Sequence, residues 1–369
     1  MKFRSERDSL VDALATAGRA VGGRGASSVV LSGLFLSCEG NRLTAIGTDL
    51  DLTIRVAIEV IGIEDGACVV PARLTTDVVR SLEPGAVTVE GNDEKAEISA
   101  ARSRFGLRAF PVVEFPAVSQ PTGEAIEIDG HVLAEGLRQV VRAASTDDAR
   151  PLLTGVLLTT EKGSVRLVAT DSYRLALRDL QGTSGLVGDE DILVPARALG
   201  ELQRLPSGSA SAGDKVAVAT GPNEIAFSLG PVRISTRLLD GTYPDYRQLI
   251  PDHYPNRLHV GKDSLIAALR RVRLLVRDNT TPVRLSMRSG GVDLSVVSQD
   301  VGDASETVDG DFTGEDIVIA FNPSYLIDGV DAVLGDEVVI ETAEPSRPAT
   351  VRGAEDEDYR YLLMPVRVS

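Results

Sequence analysis

Along the 369-residue chain, two kinds of hydrophobic spacing alternate, and the alternation repeats. Leu10, Ala13, Leu14, Ala17 and Val21 recur at helical spacing, as do Leu133, Leu137, Val140, Val141 and Ala144, and then Leu265, Leu269, Val272 and Val276. Each set predicts an amphipathic helix. Runs of period two follow each helix, beginning near 29–37, 154–160 and 283–287, and predict strands. Next comes the most regular stretch of the chain, 165–180 (VRLVATDSYRLALRDL), which reads as two short strands around Thr170-Asp171-Ser172. Short oxygen-bearing side chains favour such a turn because they bond their own backbone. A version lies at 43–56 (LTAIGTDLDLTIRV) and a weaker one at 292–308. Asp49 and Asp171 are 122 residues apart, and Asp171 and Gln299 are 128 apart. That spacing predicts three copies of one domain.

A second helix is predicted in every copy, at 68–82, 192–205 and 317–330, each approached from a short strand. Pro71, Pro195 and Pro323 sit at or near its start, where a missing N–H costs nothing. Further strands follow, and polar, proline-bearing stretches at 116–125 and 250–258 separate the copies. The expected fold is α+β: three similar domains at 1–118, 124–252 and 256–369, each with two helices on one face and antiparallel sheet on the other.

Composition sharpens this picture. Hydrophobic residues make up 43% of the chain, enough for a core in each copy, and no apolar run is long enough to span a membrane. The opening MKFRSERDSL lacks the apolar centre of a signal peptide, and a cytoplasmic location is expected. Cys38 and Cys68 fit no metal-ligand spacing and are expected as buried free thiols. The net charge of −16 taken alone argues against nucleic acid. The predicted helices are charged differently. Arg73 and Arg80, and likewise Arg197 and Arg204, lie seven apart on second helices; Arg138 and Arg142, with Arg150 beyond, and Arg270, Arg271, Arg273 and Arg277 mark first helices. Acid clusters at 300–316 and 355–358, in stretches expected to be loops. A basic helical face on an acidic protein suits a nonspecific duplex binder, drawing phosphate to one surface and repelling it elsewhere. The pattern is uneven: Asp12 stands near Arg19, and the second helix of the third copy carries Asp328 and Asp331 without an arginine.

No enzyme signature competes. His131, His253 and His259 are scattered, and GGRGASS at 22–28 lacks the Gly-Lys-Ser/Thr of a phosphate loop. Asp49 and Asp51 pose as paired carboxylates, but Asp49 recurs as Asp171 at the repeat spacing, as a structural turn does. A repeat scaffold that binds only proteins is the alternative.

The motifs GTDL (47–50), VPAR (70–73), SRF (103–105), ATDSYRLA (169–176), LLDGTYPDYRQLIP (238–251), FNPSYL (321–326) and YLLMPVR (361–367) occur in order across the whole chain. Together they resemble the bacterial DNA polymerase III β subunit family, the sliding clamps. The resemblance implies a head-to-tail homodimer closed into a six-domain ring around double-stranded DNA, helices inward and sheets outward. It implies a non-catalytic processivity factor, without cofactor or metal. Its partners would be the polymerase III catalytic subunit, other DNA polymerases, the clamp loader, and repair and ligation proteins. Such partners dock by short motifs in a pocket matched here by Leu153, Thr170, Tyr173, Arg174, Leu175, Pro244, Leu249, Asn322, Tyr325, Met364, Pro365, Val366 and Arg367. Phe105, Leu107, Leu274 and Leu275 match the dimer interface, and Arg24 and Arg150 match DNA contacts, whereas Thr146, Asp147, Pro151 and Leu152 weaken that loop as a contact. Ser172-Tyr173 stands where many members have Gly-His, Gln248 where many have a basic residue, and Val368-Ser369 where many end in Leu.

Overall fold

The computed structural model describes residues 1–23, 28–118, 121, 123, 125–183, 191–205, 214–251, 253–277, 281–298 and 300–367. The same succession of elements appears three times, with one extra strand, β5, in the first copy. The first copy comprises β1 (Lys2–Glu6), α1 (Arg7–Ala17), β2 (Gly33–Glu39), β3 (Arg42–Thr48), β4 (Leu52–Glu59), β5 (Ile61–Glu64), β6 (Gly66–Pro71), α2 (Ala72–Ser81), β7 (Ala86–Gly91), β8 (Lys95–Ala100) and β9 (Ser103–Arg108). The second runs β10 (Ala125–Asp129), α3 (Gly130–Val140), β11 (Gly155–Glu161), β12 (Ser164–Thr170), β13 (Arg174–Leu180), β14 (Ile192–Pro195), α4 (Ala196–Gln203), β15 (Lys215–Thr220), β16 (Glu224–Leu229) and β17 (Val232–Arg237). The third runs β18 (Asn256–Gly261), α5 (Lys262–Val272), β19 (Val283–Arg288), β20 (Gly291–Ser298), β21 (Gly302–Thr313), β22 (Ile317–Phe321), α6 (Pro323–Ala332), β23 (Glu337–Thr342), β24 (Ala349–Gly353) and β25 (Tyr359–Leu363).

The chain forms two compact units, 1–131 with 200–238 and 132–199 with 239–369. The first holds a five-stranded sheet, β5-β1-β7-β8-β9, and an eight-stranded one, β10-β15-β16-β17-β4-β3-β2-β6. Leu52, Ile54 and Val56 alternate inward on β4, and α1 covers that face with Leu10, Ala13, Leu14 and Ala17 while packing on α2. The approach is close enough that a Cβ on Gly47 would lie 2.1 Å from the Ala17 carbonyl oxygen, so the GTDL motif needs its glycine. The second unit holds a twelve-stranded sheet, β14-β11-β12-β13-β25-β24-β23-β18-β21-β20-β19-β22, with α5 packed on α6.

Both long sheets contain a seam where strands of successive copies pair antiparallel. Val56 faces Val232 and Leu52 faces Thr236 across β4–β17; Arg178 faces Tyr359 and Arg174 faces Leu363 across β13–β25. The registers are equivalent once the copies are superposed by number. A sheet ladder thus does the joining, and it explains why the compact units cut through the second copy.

Three expectations need correction. The opening helices end at Ala17, Val140 and Val272 and each passes into one 3₁₀ turn, so Val21, Ala144 and Val276 lie past them. Residues 29–32 and 151–154 are 3₁₀ turns that precede β2 and β11. Asp303, Glu306, Asp309 and Asp311 are not in a loop but on β21. Its first half pairs only with β20, and charge on an open edge resists unwanted pairing. Both cysteines are buried and free, and burial pushes the Cys68 thiol up to about 12. Among the described residues no helix is long and apolar enough to cross a membrane.

Candidate peptide-binding cleft and arginine-bearing helices

The β12–β13 turn is built by its own side chains. Asp171 Oδ1 accepts the backbone N–H groups of Tyr173 (2.9 Å) and Arg174 (3.0 Å), and the Thr170 hydroxyl donates to the Arg174 carbonyl at 2.6 Å. The β3–β4 turn repeats this: Asp49 Oδ1 takes the N–H of Asp51 (3.1 Å) and Leu52 (2.8 Å), and Thr48 donates to the Leu52 carbonyl at 3.1 Å. Ser172 and Leu50 hold the equivalent left-handed position, at φ 79° and 85°.

Beyond the turn, Arg174 fastens the second copy to the third. Its Nε meets Asp171 at 3.0 Å, its NH1 meets Asp328 on α6 at 2.6 Å, and its guanidinium lies 4.3 Å over the Tyr325 ring. Burial opposes the charge, but Tyr361, Asp328 and Asp171 outweigh it and raise the Arg174 pKa. Asn322 caps α6, accepting the N–H of Ser324 at 2.9 Å and of Tyr325 at 3.3 Å, and this fixes Tyr325 beside the turn. The stretch after β25 crosses the front: Met364 N–H donates to the Tyr173 carbonyl at 2.9 Å, and Val366 N–H to the Ala320 carbonyl at 2.8 Å.

The structure thereby brings Thr170, Tyr173, Arg174, Leu175, Tyr325, Met364, Pro365 and Val366 to one region. Leu175 belongs to a buried cluster with Leu157, Val168, Leu177, Leu193, Tyr246 and Leu362, flanked by Leu152, Leu239, Tyr243 and Ile250. Leu153 and Thr170 are buried, while Pro244, Leu249 and Arg367 are exposed. Tyr173 is 60% and Met364 43% exposed, and their backbone hydrogen bond sets the two side by side. An open groove of ≈ 820 Å³ lies against the tail, lined by Met364 to Arg367 with Arg284, Val318 and Ser346. Asp171 and Asp328 were not singled out in the sequence as site residues, yet they orient Arg174. The recurring Thr-Asp turn was a signal for the first; Asp328 has none, being 154 residues away from Arg174.

The first seam has the same backbone and different chemistry. Arg237 N–H donates to the Asp51 carbonyl at 3.0 Å, as Met364 does to Tyr173. Asp51 and Arg237 thus replace the two exposed apolar side chains. A cleft of ≈ 120 Å³ lies there, lined by Leu50, Pro116, Ala117 and Val118 as well as by Thr48, Asp51, Thr53 and Arg237. The seams are thus equivalent in fold and differ in the side chains they expose.

The arginines divide into open and committed ones. Arg73 is 90% exposed, and both it (3.8 Å) and Arg80 (3.2 Å) approach Asp77 on α2. Arg197, Arg204, Arg270, Arg273 and Arg277 are exposed, with Arg204 paired to Glu201. Arg142 meets Asp331 at 3.1 Å. Arg138 departs from expectation: it pairs with Glu135 and donates to the Asp331 (3.2 Å) and Ala332 (2.8 Å) carbonyls, closing the C-terminal end of α6. Arg150 is also drawn inward, reaching the Asp171 carbonyl at 3.2 Å and the Ser172 hydroxyl at 3.3 Å. Arg24, Gln299, Val368 and Ser369 lie outside the described residues.

None of the four expected interface residues is core. Phe105 is exposed and Leu107 half-buried on β9, the edge of its sheet; Leu274 is 80% exposed and Leu275 half-buried in the 3₁₀ turn after α5.

Comparison with known proteins adds three domain matches: the N-terminal, central and C-terminal domains of the DNA polymerase III beta subunit, over residues 1–119, 127–245 and 247–367. The beta sliding clamp of Streptomyces coelicolor is 36% identical, each chain covered in full. Among solved structures, the DNA polymerase sliding clamp of Bacillus subtilis superposes with a TM-score of 0.92 at 29% identity, again over all of both chains. The sliding clamp of Bartonella birtlesii, solved bound to griselimycin, gives 0.93 at 30% identity over the full length of both.

Proposed function

We infer, from a chain that belongs to the DNA polymerase III beta subunit family, that this protein is a DNA sliding clamp. Two copies close head to tail into a ring, hold duplex DNA by topology, and tether the replicative polymerase to it. No bond is made or broken on the clamp, and it works in the cytoplasm as three domains, 1–118, 124–252 and 256–369. The observation that carries the reading is the repeated seam. The strand after the Thr-Asp turn pairs with the last strand of the following copy at β4–β17 and β13–β25. Continuing the series leaves the first half of β21 and the edge of β9 without such a partner, and a second chain supplies both. Applying the seam register to them sets Arg104 opposite Ser305, and Phe105 opposite Ala304, across the interface, with Leu107, Leu274 and Leu275 beside it.

Arg73, Arg80, Arg142, Arg197, Arg204, Arg270, Arg273 and Arg277 meet phosphates, without reading sequence. Arg138 braces α6 instead, and Arg150 steadies the peptide-site turn. Polymerases, the clamp loader, and repair and ligation proteins dock through short motifs whose apolar anchors enter beside Leu175 and Met364, with Tyr173, Pro244 and Leu249 at the rim. Methionine and a few polar groups suit such varied ligands. The test is retention on DNA. Loaded onto a nicked circle, the protein should stay bound through high-salt gel filtration and be lost once the circle is cut. Equal loss from circle and line would leave only a protein-binding scaffold.

A further inference from the structure

The helix that seemed out of place in the charge pattern gathers arginines from elsewhere. Asp331, near the end of α6, receives Arg142 from beyond α3 at 3.1 Å and Arg270 from α5 at 3.9 Å. Both arginines remain largely exposed, at 43% and 64%. The first unit contains the same arrangement on one helix, where Asp77 stands between Arg73 and Arg80. Arg138 is different in kind: besides pairing with Glu135 it donates to two backbone carbonyls, and those bonds are fixed by the fold.

We propose that Asp331, and Asp77 in parallel, are internal counter-ions that occupy DNA-facing arginines in place of phosphate and so keep the grip on the duplex weak enough to slide. The proposal rests on the sliding-clamp reading. Exposed ion pairs are weak, so a phosphate exchanges with the carboxylate at little cost. An arginine held by a carboxylate neutralises one phosphate fewer, and fewer counterions leave the DNA. Each carboxylate therefore lowers both the affinity and its dependence on salt. A ring held by topology loses nothing by weak contacts, whereas strong ones would pin it.

The test is Asp331→Asn in the full chain, with binding of a short labelled duplex followed by anisotropy across a salt series. The expected result is severalfold tighter binding at low salt and a log K against log salt slope steeper by about one. Asp331→Glu should retain the wild-type slope. Unchanged or weaker binding by a folded, dimeric Asp331→Asn protein would overturn the proposal. If that variant does not form dimers, Asp77→Asn decides by the same criteria. Wild-type protein that fails to persist on circular DNA would sink the clamp reading itself, whereas a persistent wild type with an unaltered variant sinks only this inference.

Discussion

Leu50 and Ser172 show what single residues contribute. Both occupy the left-handed backbone region, where a side chain is strained and glycine is not. The Thr-Asp bonds force that conformation, since two successive N–H groups must turn back to one carboxylate oxygen. Leu50→Gly should therefore stabilise the first seam by about 0.5–1 kcal/mol, the left-handed strain exceeding glycine's entropic cost. A thermal-unfolding midpoint that falls would show the strain is absent. Ser172→Gly should gain less, because Arg150 loses its contact with the hydroxyl. The turn was legible in the sequence because Thr and Asp announce it. The positive φ was not, because neither residue is glycine. The partners of Arg174 and Arg138 were invisible for another reason: a side-chain contact spanning 154 or 193 positions has no periodicity to reveal it.

Elements follow the hydrophobic period closely until their ends. Helix spacing located α1, α3 and α5, but a 3₁₀ turn continues nearly the same apolar face, so Val21, Ala144 and Val276 appeared to extend them. Strand β21 was only partly legible, through the weak copy at 292–308, because four of its twelve residues are acidic and read as a charged loop. That edge gives a sharp prediction. If the seam register holds between copies, the double variant Arg104→Cys, Ser305→Cys should form covalent dimers under mild oxidation, since opposed strand residues bring Cβ atoms within bridging range. Non-reducing electrophoresis reads the result, and absence of the dimer would exclude this register. The segment after β25 is an element by its contacts alone, pinned by Met364 and Val366. Truncation after Leu363 should abolish binding of a labelled polymerase-motif peptide while the protein still sediments as a dimer. Retained peptide affinity would move the site elsewhere.

At the level of the whole molecule, triplication supplies both closure and asymmetry. Equivalent seams need only one joining geometry, and a few side chains then distinguish one seam from the other. Asp51 and Arg237 put charge on the first seam where Tyr173 and Met364 put exposed apolar surface on the second. Ring closure and peptide docking therefore use different residues and should separate by mutation. Leu274 is 80% exposed among the described residues, and a charge there must be desolvated if a second copy covers it. Leu274→Asp combined with Leu275→Asp should halve the mass seen by sedimentation equilibrium and end retention on circular DNA. The peptide cleft, assembled from other elements, should bind its motif with wild-type affinity. A double variant that stays dimeric would remove these leucines from the interface. One that turns monomeric yet persists on circles would mean that the grip on DNA is not topological.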